Sequence, residues 1–452
     1  MSQFDCIIHQ AKKRWPEAIA IEQGGEQLSY RQLDARVSAV AYTLRHCNVK
    51  TTLRLNVTGC LDDIINLLAA QRMALCVLPL NPQLPEAWLN TVTSGLSLSH
   101  WPSSDDLSSD QTTPVGLSQP GISAHQRQSA SIHTPLHWIL TSGSTGTPKV
   151  AVLSAGNHHY SAVGSLWCLH SHVGDRYWMS LPLYHVGGLS QIFRCFLSGA
   201  TLVLPTQKLS PDALSQSQIT HLSLVPTQLQ RLLSAAPQAL THCKSILLGG
   251  APASAKLLQQ AAHLPIQTTY GLTEMASQVV TLQPNGQHRL LPYRELRISP
   301  LGEVLVRGDT LFLGYQTSEG LLPAVDDQGW FHTRDTGNWD GKTLSITGRL
   351  DNQFISGGEN IQPESLERIA LTHPHIDQAV VVPVTDSEFG QRPVIYIEGQ
   401  VARETFLDWL LTRIPKHAKP IAVYRLPPSE TLKINRHTLQ QQAEQHVHGY
   451  LA

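Results

Sequence analysis

Four short stretches of the chain carry side chains that could do chemistry on a nucleotide. Thr141 to Lys149 reads TSGSTGTPK. Its small residues leave backbone N–H groups and the hydroxyls of Thr141, Ser142, Ser144 and Thr145 free to face an anion, with Gly143 and Gly146 giving the turn its freedom and Lys149 adding a mobile positive charge. It is not a Walker loop: counting from Gly143 puts Pro148 where the second glycine belongs and Val150 where a magnesium-ligating hydroxyl belongs. TYGLTEMAS offers a ring at Tyr270 beside Gly271, a hydroxyl at Thr273 and a carboxylate at Glu274, HTRDTG offers Asp335, and ITGRLDNQFISGGENIQP runs from Arg349 through Asp351 to Gly357-Gly358. Together they amount to a nucleotide site without a P-loop: a ring to stack on adenine, a carboxylate for ribose hydroxyls, another for a magnesium ion, and hydroxyls for phosphate oxygens. Singly, each has a plainer reading, as a surface turn, a helix cap or a surface ion pair; the ordered set favours the nucleotide.

A fifth stretch, LPLYHVGGLSQIFRCFLSGATLVLP, places Arg194 in an apolar helical pattern. An unpaired guanidinium there is costly, so Arg194 needs an anion, either an internal Asp or Glu or a charge on a ligand.

These residues need a scaffold. DDIINLLAAQRMALCVLPLNP passes from a helical run to a VLPL strand, HLSLVPTQLQRLL from strand to helix at Pro226, and SILLGGAPASAKLLQQAA from strand through Gly249-Gly250 into a helix. The alternation predicts an α/β fold with helix-covered, mainly parallel sheets. The Ser-, Gln- and Pro-rich stretch over 102–134 reads as an exposed connection. From about Arg294 short alternating segments predict a small β-rich subdomain over 294–350, and 351–452 an α+β tail with AVVVPV and PVIYIEG as strands and FLDWLLTRI as a helix. The expected division is therefore 1–350 and 351–452.

The 452 residues exceed one ordinary core, and 33 Lys+Arg against 34 Asp+Glu gives no electrostatic case for nucleic acid or an anionic membrane. The N-terminus MSQFDCIIHQ lacks a signal pattern and the most apolar stretch is interrupted by Gln71 and Arg72, so a cytoplasmic protein without stable membrane insertion is expected. Seven scattered cysteines without C-x-x-C predict no disulfide framework, and the 22 histidines show no zincin spacing. A homo-oligomer is compatible with all of this.

In their order, TSGSTGTPK, YGLTE and GRLDNQFISGGENI resemble the adenylate-forming enzymes, the superfamily of acyl-CoA synthetases, peptide-synthetase adenylation domains and luciferases. The resemblance implies ATP, Mg²⁺ and CoA as reaction partners. It makes Thr141 to Lys149 a loop closing over the β- and γ-phosphates, Gly249, Gly250, Ala251 and Pro252 a border for adenine, and Tyr270 its stacking ring. It brings Thr273 to the α-phosphate, Glu274 to Mg²⁺, and Asp335 with Arg349 to the ribose. It makes Asp351 the hinge of a C-terminal lid, Gly357 and Gly358 part of the thiol channel, and His185 a gate or acyl contact. The catalytic lysine falls on Lys433 in SETLKINRHTL, although Leu432 stands where the family has Gly, with Lys416 and Lys419 as the fallback candidates; Arg334 likewise stands where most members have Gly before the ribose-binding Asp.

The implied reaction is attack of a carboxylate on the α-phosphorus of ATP, then transfer of the acyl group from AMP to a thiol. NPQLP, SLPLYHV, SLVPTQLQRLL and LLGGA extend the resemblance to the o-succinylbenzoate–CoA ligases of menaquinone synthesis. That acid is an aryl dicarboxylate, which makes Arg194 the expected partner of its ring carboxylate, with Ser223 and Thr227 nearby. A ligase for another aryl or acyl acid, a carrier-loading module and a non-catalytic nucleotide-binding regulator are the alternatives.

Overall fold

The computed structural model describes residues 3–4, 6–47, 52–102, 130–141, 148–427 and 435–448. A nine-stranded sheet runs, edge to edge, through His288–Leu290, Ser277–Leu282, Ile266–Leu272, Ser245–Leu248, His221–Leu224, Arg176–Trp178, Thr201–Leu204, Ile19–Gln23 and Glu26–Ser29. Its six middle strands, Ile266–Leu272 through Ile19–Gln23, are parallel and its edges antiparallel. HLSL and SILL are buried at every position, as strands covered on both faces must be. A seven-stranded sheet runs through Gly320–Leu322, Gly314–Thr317, Lys149–Ser154, Pro135–Thr141, Val77–Leu80, Thr52–Asn56 and Leu98–His100.

Between the sheets lie the Ala155–Leu169 and Val186–Ser198 helices. The first starts at a capping box in which Ser154 and Asn157 exchange hydrogen bonds. Asn157 also donates to the Asp309 and Leu311 carbonyls, and the Ser161 hydroxyl to that of Ala276, at 2.6 Å. The helix thereby fixes the backbone beside the Thr273–Met275 turn.

Glu295–Ile298, Glu303–Arg307, Phe331–Trp339 and Leu344–Arg349 form an antiparallel four-stranded sheet. The expectation of one β-rich unit over 294–350 needs a correction. Gly314–Thr317 and Gly320–Leu322 leave this sheet and extend the seven-stranded one, because Gly314–Gln316 pairs with Val150–Val152. Composition alone shows an alternating segment, not the sheet whose edge it completes.

From Phe354 onward the chain builds a separate five-stranded sheet around Ile376–Asp386 and Gly390–Gly399. Val381, Ile395 and Ile397 face the Pro363–Ala370 and Arg403–Leu411 helices, while Val380, Val382 and Val394 face the Arg436–His448 helix. This is the two-residue side-chain period of a strand covered on both sides. The sheet meets the rest of the chain through Lys256–Asp377 at 2.9 Å and through Arg368 and Gln362, which donate to the Thr347 and Arg349 carbonyls. All seven cysteines are free, and no described helix is long and apolar enough to cross a membrane.

Candidate active site

Parallel strands deliver their carboxyl ends to one edge, where open α/β sheets place their ligands. Here Leu224, Leu248 and Thr268 lie in one register row, followed by Val225, Gly249-Gly250 and Thr269-Tyr270. Gly250 has φ +82°, and the Gly249–Pro252 turn it opens lies toward solvent, with Ala251 and Pro252 exposed. Gly271 sits at a bulge where a Cβ would collide with the Ser277 carbonyl oxygen, which fixes glycine between the ring of Tyr270 and the Thr273–Met275 turn.

Two chains of contacts meet at this edge. In the first, the Tyr270 hydroxyl donates to Asp335 Oδ2 at 2.7 Å. Arg349 then donates to Asp335 Oδ1 at 2.8 Å and through two nitrogens to both Asp351 oxygens at 2.9 Å. Burial pushes the Asp335 carboxyl above its ordinary value, against the pull of the Arg349 guanidinium and the Tyr270 hydroxyl. Desolvation opposes the charge on Arg349, yet its two carboxylate partners hold it above its ordinary pKa.

In the second chain, the Tyr315 hydroxyl donates to Glu274 Oε1 at 2.7 Å and Lys149 Nζ stands 5.0 Å above the Tyr315 ring. Burial, then the Glu274 charge, raises the Tyr315 hydroxyl well above its ordinary value, while Arg349 is close enough to oppose the shift. Tyr270 near the end of its strand and Glu274 in the turn that follows bring the two chains of contacts to the same edge. The pairing of Tyr315 with Ala151 seats it beside the strand that Lys149 begins. Thr141 and Lys149 are register partners across the neighbouring pair, so the stems of the small-residue loop are fixed. Ser142, Gly143, Ser144, Thr145 and Gly146 lie outside the described residues.

The donor set fits a magnesium ion bound with a triphosphate. Glu274 Oε1 is taken by Tyr315, which leaves Oε2, and no group of three or more His, Cys, Asp or Glu among the described residues forms an all-protein metal cage. Mg²⁺ needs only one or two carboxylates when phosphates and water complete its octahedron.

Arg334 has φ +65°, a left-handed conformation that glycine adopts freely and other residues rarely. Its N–H donates to Glu303 Oε1 at 3.0 Å, and the Asp335 N–H to Thr333 Oγ1 at 3.1 Å. Arg334 thus occupies a glycine-type position at a bulge in the Phe331–Trp339 strand, next to Asp335, whose carboxylate meets Tyr270.

Arg194 is 1% exposed and has only neutral partners. Nε donates to the Ser190 carbonyl, one terminal nitrogen to Gln278 Oε1 at 3.2 Å, and the other to the Ser190 and Ser223 hydroxyls at 2.9 and 3.4 Å. Burial lowers its pKa to about 10. No carboxylate among the described residues lies within ion-pair distance of it, so the internal Asp or Glu partner that the sequence allowed does not appear there.

Other expected residues fall elsewhere. Thr273 heads the turn that carries Glu274. Thr227 is half-buried in the first turn of the Pro226–Ala235 helix and is not among the partners of Arg194. His185 is exposed at the N-cap of the Val186–Ser198 helix, its ring 4.8 Å from that of Tyr184. Gly357 and Gly358 form an exposed left-handed hairpin on the C-terminal sheet, Gly357 N–H donating to the Phe389 carbonyl. Lys433 lies outside the described residues; three residues on, Arg436 is held by Glu367 at 2.5 and 2.8 Å. Sequence reasoning missed Tyr315, Glu303 and Gln278. The available signals were a tyrosine after glycine in LGYQT and an inward glutamine in the SQVV strand.

An AMP-binding enzyme family model matches residues 89–316. The 2-succinylbenzoate–CoA ligase of Salmonella typhimurium strain LT2 is 35% identical over 445 residues, covering 94% of this chain and 95% of its own. Among solved structures, a variant of E. coli MenE with bound OSB-AMS superposes with a TM-score of 0.83 at 32% identity, covering 98% of this chain and 99% of that one. The o-succinylbenzoate CoA synthetase (MenE) from Bacillus subtilis, in complex with the acyl-adenylate intermediate OSB-AMP, also gives 0.83, at 25% identity over 97% and 99%. With its site assembled in the same fold and its length matched almost throughout, the chain belongs to the AMP-binding enzyme family and, within it, to the 2-succinylbenzoate–CoA ligases.

Proposed function

We propose that the protein joins 2-succinylbenzoate to coenzyme A with ATP, as a cytoplasmic step toward menaquinone. A carboxylate oxygen of the succinyl arm attacks the α-phosphorus, the bond to the β-phosphate oxygen breaks, and pyrophosphate leaves. The CoA thiol then loses its proton, its sulfur attacks the acyl carbon, and the bond to AMP breaks. Attack of an anion on an anion needs positive charge and orientation more than bond-making help from the protein. Lys149 and the loop amides supply charge at the β- and γ-phosphates, Lys433 at the reacting oxygens, and Thr273 a hydroxyl at the α-phosphate. Tyr270 offers the ring for adenine, bordered by Gly249, Gly250, Ala251 and Pro252, while Asp335 and Arg349 hold the ribose. Glu274 would hold Mg²⁺, which when bound offsets phosphate charge.

The thiol needs the place Lys433 occupies during adenylation. The separate core after Phe354 supports rotation of 351–452 about Asp351, bringing Gly357 and Gly358 to the thiol channel. His185 gates the acyl side.

The observation that carries the choice of acid is Arg194, a buried guanidinium without a carboxylate partner among the described residues. A ring carboxylate supplies the missing charge, with Ser223 and Thr227 on its flank. The test is a panel of acids with ATP, Mg²⁺ and CoA, read by the mass of the thioester. Preference for aryl monocarboxylates or aliphatic acids would reject the assignment.

A further inference from the structure

Gln278 is 1% exposed and bonds to two buried guanidinium groups, one through its side chain and one through its backbone. Its Oε1 accepts from Arg194, its backbone carbonyl accepts from Arg294 Nε at 2.5 Å, and its Nε2 donates to Thr281 Oγ1 at 3.0 Å. Because a guanidinium can only donate, Arg194 fixes the amide oxygen toward itself. Arg294 is closed off by carbonyls, donating also to those of Pro292 and Ser161 and to the Ser161 hydroxyl. Arg194 differs, because three of its four partners are side-chain oxygens reaching it from Ser190, from Ser223 on the His221–Leu224 strand and from Gln278. Gln278 is the register partner of Gly271, next to the ring proposed to face adenine. Within this group a single isosteric change, amide to carboxylate at 278, would give Arg194 an internal counter-charge.

Resting on the reading of Arg194 as the anchor of the second carboxylate, we propose that Gln278 is a specificity determinant: by holding Arg194 as a neutral amide it leaves the guanidinium charge to be met by the acid. The physical ground is that a buried charge pair within hydrogen-bond distance is far more strongly coupled than an exposed one, so a carboxylate at 278 competes directly with the substrate's. A neutral residue of the same length does not compete. Gln278 touches neither the reacting carboxyl nor the nucleotide in this scheme and acts through Arg194.

The experiment compares kcat/KM for 2-succinylbenzoate with that for 3-benzoylpropionate, the same skeleton without the ring carboxyl, at saturating Mg-ATP and CoA. Gln278→Glu should lower the dicarboxylate-to-monocarboxylate ratio at least about tenfold, as expected for a desolvated charge pair. Gln278→Met, which breaks the hydrogen bond without adding charge, should leave the ratio within about threefold. Ser223→Asp delivers a carboxylate to the same guanidinium from the His221–Leu224 strand of the same sheet and should reproduce the loss, which keeps the test open should Gln278→Glu not fold. An unchanged ratio in both carboxylate variants, with a collapsed ratio in Arg194→Met, overturns the role of Gln278 and leaves the Arg194 assignment standing. An unchanged ratio in Arg194→Met removes that assignment itself.

Discussion

Tyr315 is the residue whose removal tests the site most sharply, because Tyr315→Phe deletes one oxygen and leaves the ring. The ring keeps its edge contact with Phe312 at 4.8 Å and its face beneath Lys149 Nζ at 5.0 Å. What is lost is the 2.7 Å bond to Glu274 Oε1, short enough for a charge-assisted O–H···O⁻ contact. Such bonds contribute about 1.5–3 kcal/mol, and about 1.4 kcal/mol is tenfold in an equilibrium. The carboxylate of Glu274 is only half-buried, so water recovers part of the bond. The expected effect is therefore at the lower end, roughly a tenfold loss of affinity for Mg-ATP.

The loss should be confined to the metal-bound nucleotide, since the hydroxyl orients the carboxylate and does not touch the adenosine end. Calorimetric titration with ATP in the presence and absence of Mg²⁺, and with AMP, reads this directly. Mg²⁺ should strengthen ATP binding to the wild type much more than to Tyr315→Phe, with AMP affinity alike in the two. Equal weakening of AMP would mean that the variant damages the whole pocket, and an unaltered Mg²⁺ dependence would mean that Glu274 needs no help from Tyr315. Either result refutes the reasoning.

Other substitutions probe the rest of the site. Asp335 has a folded pKa raised by burial, so its contribution to stability is fully present below the ordinary carboxylate pKa of about 4 and is lost as pH rises through the raised value. Asp335→Asn should match the wild type in denaturant unfolding at acid pH, exceed it at neutral pH, and bind ATP far more weakly; a stability difference independent of pH would contradict this. Arg334→Gly relieves a left-handed bulge position worth about 1–2 kcal/mol in a non-glycine residue but loosens the unfolded chain, so a net gain of up to about 1 kcal/mol in unfolding free energy is expected, and a loss would show that the exposed side chain matters. Lys433→Ala should abolish pyrophosphate release while a supplied acyl-adenylate still reacts with CoA; loss of both steps alike would reject a lysine that serves adenylation only.

Much of this arrangement was legible because local chemistry carried it. The HLSL and SILL strands and their Pro226 and Gly249-Gly250 exits announce their conformations within a few residues. Arg334 is a telling case: it stood out in sequence as a departure from glycine, and its φ of +65° gives the reason that position favours one. Tyr315 and Gln278 were not legible, because their meaning depends on distant pairing. Tyr315 matters through its place opposite Ala151 and its bond to Glu274, and Gln278 through a helix more than 80 residues earlier. The same cause moved Gly314–Thr317 out of the expected β-rich unit. Strand pattern fixes which face is buried, and leaves the identity of the neighbouring strand to tertiary packing.

The guanidinium of Arg349 gives the site a physical link between nucleotide and hinge. One nitrogen holds Asp335, the proposed ribose ligand, while two others hold Asp351, the proposed pivot, and Gln362 of the C-terminal sheet donates to the Arg349 carbonyl. The Asp335 and Asp351 side chains are 12% and 19% exposed and share one guanidinium that is 40% exposed. With its guanidinium this exposed, Arg349 is partly screened by water and its Asp351 contacts can break at small cost when the proposed lid turns, while Asp335 keeps a further partner in the Tyr270 hydroxyl. A guanidinium can keep one carboxylate while releasing another because its donors point in separate fixed directions; a lysine ammonium would let both drift. In the proposed scheme, ribose contact and lid angle can thus change independently at one residue, which suits a two-step reaction in which the adenylate stays bound while the C-terminal unit turns.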